Sequence, residues 1–348
     1  MKKKFFFATL ASVALVSCTT DVSVLEPVDT SSQIDFVAAN YVTQSRAEHE
    51  SLAFTNADYT VWAWQDGTDV PHMDEVKVTA PSTVDGTYYW PNYALDFAAT
   101  TPDDDPRIEL TRNGGKSTIT FTFDKTNPNT TTTNLMYADF VESQKYDSDA
   151  GTGNPTVALL FRHVLAKLNV IVHQVNPSPI PDGITSYNVT VNSLSFADLL
   201  CEGSLTVEEG VYNGHNQNYL WEPAATPTTK ATWNVIAAAT NIETSDFATN
   251  YDHDDHNYLV MPQTIPADAM LNITYTVTTR FNNGTTSTKN FTKGVALNTI
   301  TDGSSAITEW RTNKNVTYTI NIAPASLQPI AFTVNEEEMG TIGGSYTF

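Results

Sequence analysis

The sequence predicts an all-β protein arranged as two sandwiches. Three observations carry this reading. Threonine is very frequent, and valine, isoleucine, tyrosine and phenylalanine are well represented, all residues that suit a pleated, half-buried surface. Apolar residues recur with period two in short runs separated by turn residues. Long helical periodicity is hard to find, and a mature chain of about 330 residues is long enough for two domains.

The chain opens with a leader. Lys2, Lys3 and Lys4 precede an apolar run over 5–16, shorter than the roughly 20 residues a membrane helix needs. The run ends in Leu15-Val16-Ser17-Cys18, which resembles the bacterial lipobox and marks Cys18 for lipidation. The alternative is an ordinary secretory signal with an incidental cysteine. Acyl chains contribute about 0.8 kcal/mol per buried methylene, so several of them anchor a protein to a membrane. Asp21 follows early, which suits export to the cell surface.

Charge narrows the partners. Removing the three leader lysines from 18 basic residues leaves 15 against 39 acidic ones, a net charge near −24. Nucleic-acid binding needs cations to displace counterions from phosphates, so it is not expected. Docking on anionic lipid is opposed for the same reason, and dispersed acidity gives a soluble, self-repelling surface. With Cys18 acylated, Cys201 has no intramolecular partner and reads as a small buried apolar residue.

In order along the chain, Ile34, Phe36 and Ala38 alternate as one face of a strand. The polar stretch Gln44-Ser45-Arg46-Ala47-Glu48 follows, with the only arginine before Arg107. Arg46 is either a target for a trypsin-like protease or one more surface arginine. Strands are expected at 58–65, 75–79, 95–99, 117–123 and 134–140, with turns at Asp66-Gly67, Asp85-Gly86 and Asn113-Gly114-Gly115. The polar stretch 144–155 is the expected linker, giving domains at 47–152 and 153–348 after a leader (1–17) and a propeptide (18–46). Over 156–172 the apolar parity switches, which predicts one helical turn across 162–167. Further strands are expected at 187–196, 204–207, 232–239, 258–261, 271–281, 287–296 and 315–322. Asn282-Asn283-Gly284 is a hairpin turn. Ile330, Phe332 and Val334 alternate in the last strand.

Few residues suggest chemistry. Asp252, His253, Asp254 and His256 can hold a divalent ion, but no helix fixes their spacing; the plain alternative is a solvated acidic loop. A metal-dependent hydrolase around His253 and His256 is the corresponding enzymatic reading. Asp103, Asp104 and Asp105 lack the calcium-loop pattern. His163 reads as a hydrogen-bonded residue at a strand break. No serine occupies a nucleophile elbow. Neither a cofactor nor an enzymatic activity is expected. The six tryptophans mostly sit in strand patterns and should be core; exposed together on one face, they would instead make a surface glycan-binding lipoprotein.

Several motifs, in order, carry a resemblance. They are the lipobox, Ile34-Asp35-Phe36 followed by Ser45-Arg46-Ala47, Trp90-Pro91, and Leu135-Met136-Tyr137-Ala138. Phe161-Arg162-His163-Val164-Leu165-Ala166-Lys167-Leu168 and Leu259-Val260-Met261-Pro262-Gln263 complete the set. Together they resemble the fimbrillins, the type V pilins of anaerobic Gram-negative bacteria. The resemblance implies two transthyretin-like Greek-key sandwiches and an outer-membrane lipoprotein precursor that ends in a fimbrium with a role in adhesion. It implies cleavage by an arginine-specific protease between Arg46 and Ala47. It also implies that a strand from another pilin subunit then replaces Ile34 and Phe36. The matching donor here is Ile330, Phe332 and Val334 in the C-terminal segment; where such chains often carry a tryptophan, Glu338-Met339 stands instead. Stalk, tip and anchor subunits share these motifs.

Elementary energetics point the same way. Three or four inward apolar residues of the first strand, at about 1.5–3 kcal/mol each, give roughly 5–12 kcal/mol. A domain is stable by only about 5–15 kcal/mol. Loss of the strand would also leave unpaired backbone beside an apolar groove, a template for another strand.

Overall fold

The computed structural model describes residues 32–40, 52–53, 58–80, 82–124, 134–147, 152–153, 155–210, 220–224, 229–242, 247–248, 259–325 and 330–338. The leader, Cys18, Arg46, Ala47, the cluster at 252–256 and the last ten residues lie outside them. The described residues form an all-β, sandwich-like fold, with one short 3-10 turn at Leu297–Thr299.

The principal strands are β1 (Asp35–Asn40), β2 (Tyr59–Gln65), β3 (Pro71–Thr79), β4 (Leu95–Thr101), β5 (Ile108–Asn113), β6 (Lys116–Asp124), β7 (Met136–Ala138) and β8 (Thr156–His163). They continue with β9 (Ala166–Gln174), β10 (Ile184–Leu200), β11 (Glu202–Glu208), β12 (Lys230–Ile236), β13 (Met270–Phe281), β14 (Thr286–Ala296), β15 (Lys314–Ile322) and β16 (Ile330–Glu338).

The first sheet runs Leu52–Ala53, β1, β8, β7, β4, β2, β3, Thr83–Val84, with Val141–Gln144 added beside β4. It curls. β1 and β4 are three strand spacings apart, about 14 Å in a flat sheet. Yet the rings of Phe36 and Phe97 meet edge to face with centroids 6.0 Å apart. β2 reads as a continuous apolar run because both its faces are covered. Tyr59, Val61 and Ala63 enter the core with Phe36 and Phe97, while Trp62 and Trp64 pack on the other face with Ala98, Leu110 and Phe140.

In the C-terminal half, two sheets face each other. One runs Phe247–Ala248, β9, β15, β16, and the other runs β12, β10, β13, β14. Their inward residues, among them Val170, Phe196, Trp233, Tyr275 and Tyr318, form the largest core.

A third sheet ties the halves together. β6 pairs antiparallel with β11 from Glu202↔Asp124 to Glu208↔Thr118, with β5 on the outer side of β6. At its corner lies a buried arginine. Arg112 reaches Asp96 of β4 at 2.6 Å and Glu209, just after β11, at 3.2 Å, and its guanidinium lies 4.6 Å over Trp64. Those three charged side chains are 4%, 5% and 8% exposed. Removing one partner of such a cluster strands the others without solvent. Beside it, a Cβ on Gly115 would stand 2.4 Å from the carbonyl oxygen of Gly67, so only glycine fits that approach.

One organisational expectation is corrected. No helical turn spans 162–167. β8 ends at His163 and β9 begins at Ala166; between them the Val164 N–H donates to the Leu135 carbonyl, and the Leu165 carbonyl accepts from the Asn313 N–H. The parity switch arises because the chain leaves one sheet and enters another, with Val164 and Leu165 packed in the core between them. Of the polar stretch expected as a linker, the described residues lie beside the first sheet. Tyr146–Asp147 pairs with Thr152–Gly153 in a short hairpin, Tyr146 packs on the first core, and β8 follows in the same sheet. The chain passes from the first sheet to the next at Val164-Leu165.

Candidate functional site

The segment 32–40 closes the curled first sheet, and this is the site the fold singles out. Its early part bonds to the connection between Thr83–Val84 and β4. The Ile34 N–H donates to the Tyr88 carbonyl at 2.9 Å, the Trp90 N–H donates to the Ser32 carbonyl at 3.2 Å, and Gln33 bridges Tyr89. Its later part, β1, runs parallel to β8 from Asp35↔Thr156 to Asn40↔Phe161. On the other side, among the described residues, β1 has Leu52–Ala53, paired at Ala39 and Asn40. One short segment thus ties β8 to the connection at Tyr88–Trp90.

Alternation decides which side chains fill the core. Ile34 and Phe36 are each 1% exposed and Ala38 is 8%, whereas Val37 between them is 57% exposed. Phe36 meets Phe97, which in turn meets Trp90 at 5.8 Å. The Trp90 indole N–H donates to the Pro155 carbonyl at 2.9 Å, so the pocket floor has no free polar atom at that point. Two large side chains are fully buried, and Ala38 adds one methyl. The segment's apolar contribution is therefore about 3–6 kcal/mol, at or below the low end of the roughly 5–12 kcal/mol expected from sequence.

Arg46 and Ala47 fall in the connection between β1 and Leu52, outside the described residues. At the other end of the chain, β16 pairs antiparallel with β15 from Ile330↔Ile322 to Glu338↔Lys314. Val334 is 3% exposed, while Ile330 and Phe332 are only partly buried against the large core. These three residues, expected from sequence as a donor, here face their own chain.

The remaining candidates resolve simply. Asp252, His253, Asp254 and His256 lie outside the described residues, and among those residues no cluster of His, Cys, Asp and Glu has metal-binding geometry. Asp103 accepts from Lys77 at 2.7 Å and from Thr60 at 2.8 Å, and Asp105 pairs with Arg107, so this run is engaged by protein cations. His163 is 2% exposed and accepts at Nδ1 from Asn134, as expected of a hydrogen-bonded residue at a strand end. Cys201 is fully buried and burial pushes its thiol up to about 11, leaving it a poor nucleophile. All six tryptophans are buried, the most exposed at 9%. That overturns the glycan-binding alternative, which required several of them on one open face.

Sequence reasoning missed two features. The bonds from Ser32 and Ile34 to Tyr88 and Trp90 carry no local signal. The Arg112 cluster left a trace only in an arginine sitting between polar strand residues.

Comparison with known proteins follows this geometry. The sequence matches the Fimbrillin-like family over residues 45–336. The fold is similar to a fimbrial protein from Bacteroides vulgatus, at 17% identity and a TM-score of 0.56, covering 87% of this chain and 99% of that one. Looser likenesses are a candidate cell-adhesion protein from Bacteroides uniformis (16% identity, TM-score 0.47, 88% and 98% covered) and the C-terminally truncated tip fimbrial protein Mfa3 from Porphyromonas gingivalis (7%, 0.40, 88% and 100%). No curated protein matches the sequence. The described residues define an all-β, sandwich-like chain whose first segment closes a curled sheet. The chain belongs to the fimbrillin-like family.

Proposed function

We propose that this chain is a subunit of a surface fimbria that polymerises when its first strand is cut away and replaced by a strand from a neighbouring subunit. The observation that carries the reading is the position of segment 32–40, whose Ile34 and Phe36 fill the core while its backbone bonds both to β8 and to the connection at Tyr88–Trp90. Its loss opens an apolar groove along β8, lined by Phe97 and Trp90. An extended segment that restores both the backbone bonds and the side-chain pockets is the natural occupant.

The same chain carries a matching pattern. Ile34-Asp35-Phe36-Val37-Ala38 and Ile330-Ala331-Phe332-Thr333-Val334 share isoleucine and phenylalanine two positions apart, then a small apolar residue two further on. The donor is therefore β16 of the neighbour, entering with Ile330 in the place of Ile34 and Phe332 in the place of Phe36. β16 must first leave β15 of its own chain. Cys18 holds the precursor to the outer membrane through acyl chains, and an arginine-specific protease cuts between Arg46 and Ala47. The family match begins at residue 45, next to that bond, so β1 falls outside it. Adhesion is the role of the finished polymer.

The experiment is the variant Arg46→Ala. Wild-type precursor treated with an arginine-specific protease should lose its first segment and form ladders that resist sodium dodecyl sulfate. The variant should do neither. Ladder formation by the variant at the wild-type rate would overturn the mechanism.

A further inference from the structure

The sheet β12, β10, β13, β14 has one face on the large core and one in solvent. Along β13, Leu271, Ile273, Tyr275 and Val277 point inward. Asn272, Thr274, Thr276, Thr278 and Arg280 point outward. Register sets Thr288, Asn290 and Thr292 of β14 directly opposite Thr278, Thr276 and Thr274. The pattern continues onto β10, where Ser193 and Thr274 hydroxyls lie 2.6 Å apart and the Asn192 amide donates to Thr276 at 2.8 Å. Thr276 in turn donates to Asn290 at 2.9 Å.

This face is poor in charge. Residues 269–301 contain no aspartate or glutamate, in a chain that carries 39 of them. On an ordinary surface about a quarter to a third of positions are charged; across the outward positions named above, only Arg280 is. Threonine favours exposed strands on propensity alone, but propensity does not exclude lysine and glutamate so completely.

The neighbouring edge is different again. β14 is the last strand of its sheet. On its inward side Lys289 and Lys293 flank Phe291, which stacks on Tyr275 with centroids 5.0 Å apart, and the Lys289 ammonium lies 5.0 Å over the Phe291 ring. Inward-pointing lysines on an edge strand obstruct the addition of another strand. The edge is closed to pairing while the face is open.

We infer that the outer face of β10, β13 and β14 is a lateral contact surface for a second copy of this chain, packed face to face. Two arguments select that occupant. Copies with a net charge of −21 repel one another wherever carboxylates meet, and here hydroxyls and amides meet instead. The size also fits a weak, repeated contact. Twelve residues of β13 at about 3.4 Å each, across three strands at about 4.8 Å, give about 600 Å² per copy and about 1,200 Å² in total. That is the lower limit for a specific interface, sufficient when many copies are held in register. The contact requires no exchanged strand, so it stands apart from the proposed polymerisation.

Sedimentation velocity on the full chain, over rising protein concentration and at two salt levels, tests this. Association should increase with concentration. It should also increase with salt, because the Debye length falls from about 10 Å at 0.1 M to about 3 Å at 1 M and screens the repulsion between copies. The double variant Thr276→Glu/Thr292→Glu should sediment as a monomer throughout. Thr111→Glu/Thr206→Glu, which adds the same charge at exposed positions of β5 and β11, should associate like wild type. All four threonines point away from cores, and melting curves check that each variant is folded. A wild type that stays monomeric overturns the inference. So does association that weakens with salt, or equal loss in both variants.

Discussion

β1 and β16 carry nearly the same side-chain pattern and are held in opposite ways. β1 is short, and with Ile34 just before it its grip is depth: Ile34 and Phe36 are each 1% exposed inside a closed core. β16 is longer, and its grip is backbone: it pairs with β15 from Ile330 to Glu338, but Ile330 and Phe332 are only partly buried. A strand held by core filling leaves a large apolar deficit behind. A strand held by hydrogen bonds at a sheet border can trade them for water or for another strand at little net cost. The same pattern therefore sits deep in a closed core in one place and shallow at a sheet border in the other.

The largest expected effect tests the depth of β1. Phe36→Ala should destabilise the uncut protein by about 3–5 kcal/mol, as for a fully buried phenylalanine, read from the urea midpoint at constant slope. A loss under about 1 kcal/mol would mean that Phe36 is not structurally required. Next, Phe332→Ala should cost about 1–2 kcal/mol, since its ring is only partly buried. If the two losses were equal, the contrast between the strands would fail.

The smallest effect concerns the turn behind β16. The Asp302 carboxylate accepts from the Ser305 N–H, and from the hydroxyl and N–H of Ser304, which hold it down to about 2 from 3.8. The adjoining Thr301 carbonyl accepts from the Val334 N–H at 3.2 Å. Because the folded pKa lies below the unfolded one, this support is complete above about pH 4 and is lost as pH falls through about 2. The protection of the Val334 amide against hydrogen exchange should drop a few-fold across that window. Protection that is flat in pH would separate the turn from the strand.

How much of this was legible beforehand follows from the range of each signal. The alternation at Ile34, Phe36 and Ala38 is local, and it correctly marked which side chains are buried. The expected strand positions around Tyr59, Phe121, Val191, Ile273 and Tyr318 rest on the same short period. Parallel pairing of β1 with β8 joins residues more than a hundred positions apart, and no periodicity encodes it. The parity switch near Arg162 was visible but ambiguous, because a helical turn and a change of sheet leave the same trace. Arg112 finds Asp96 and Glu209 16 and 97 residues away, so its role emerges only from the fold.

One detail of the first sheet gives the proposed polymer a direction. β1 runs parallel to β8, and its pockets come in a fixed order, wide for Ile34 and Phe36, then narrow for Ala38. A replacement threaded backwards would meet that order reversed and a different hydrogen-bond pattern. Subunits joined this way all point alike, so the filament has two unlike ends, one presenting an open slot and the other an unspent tail.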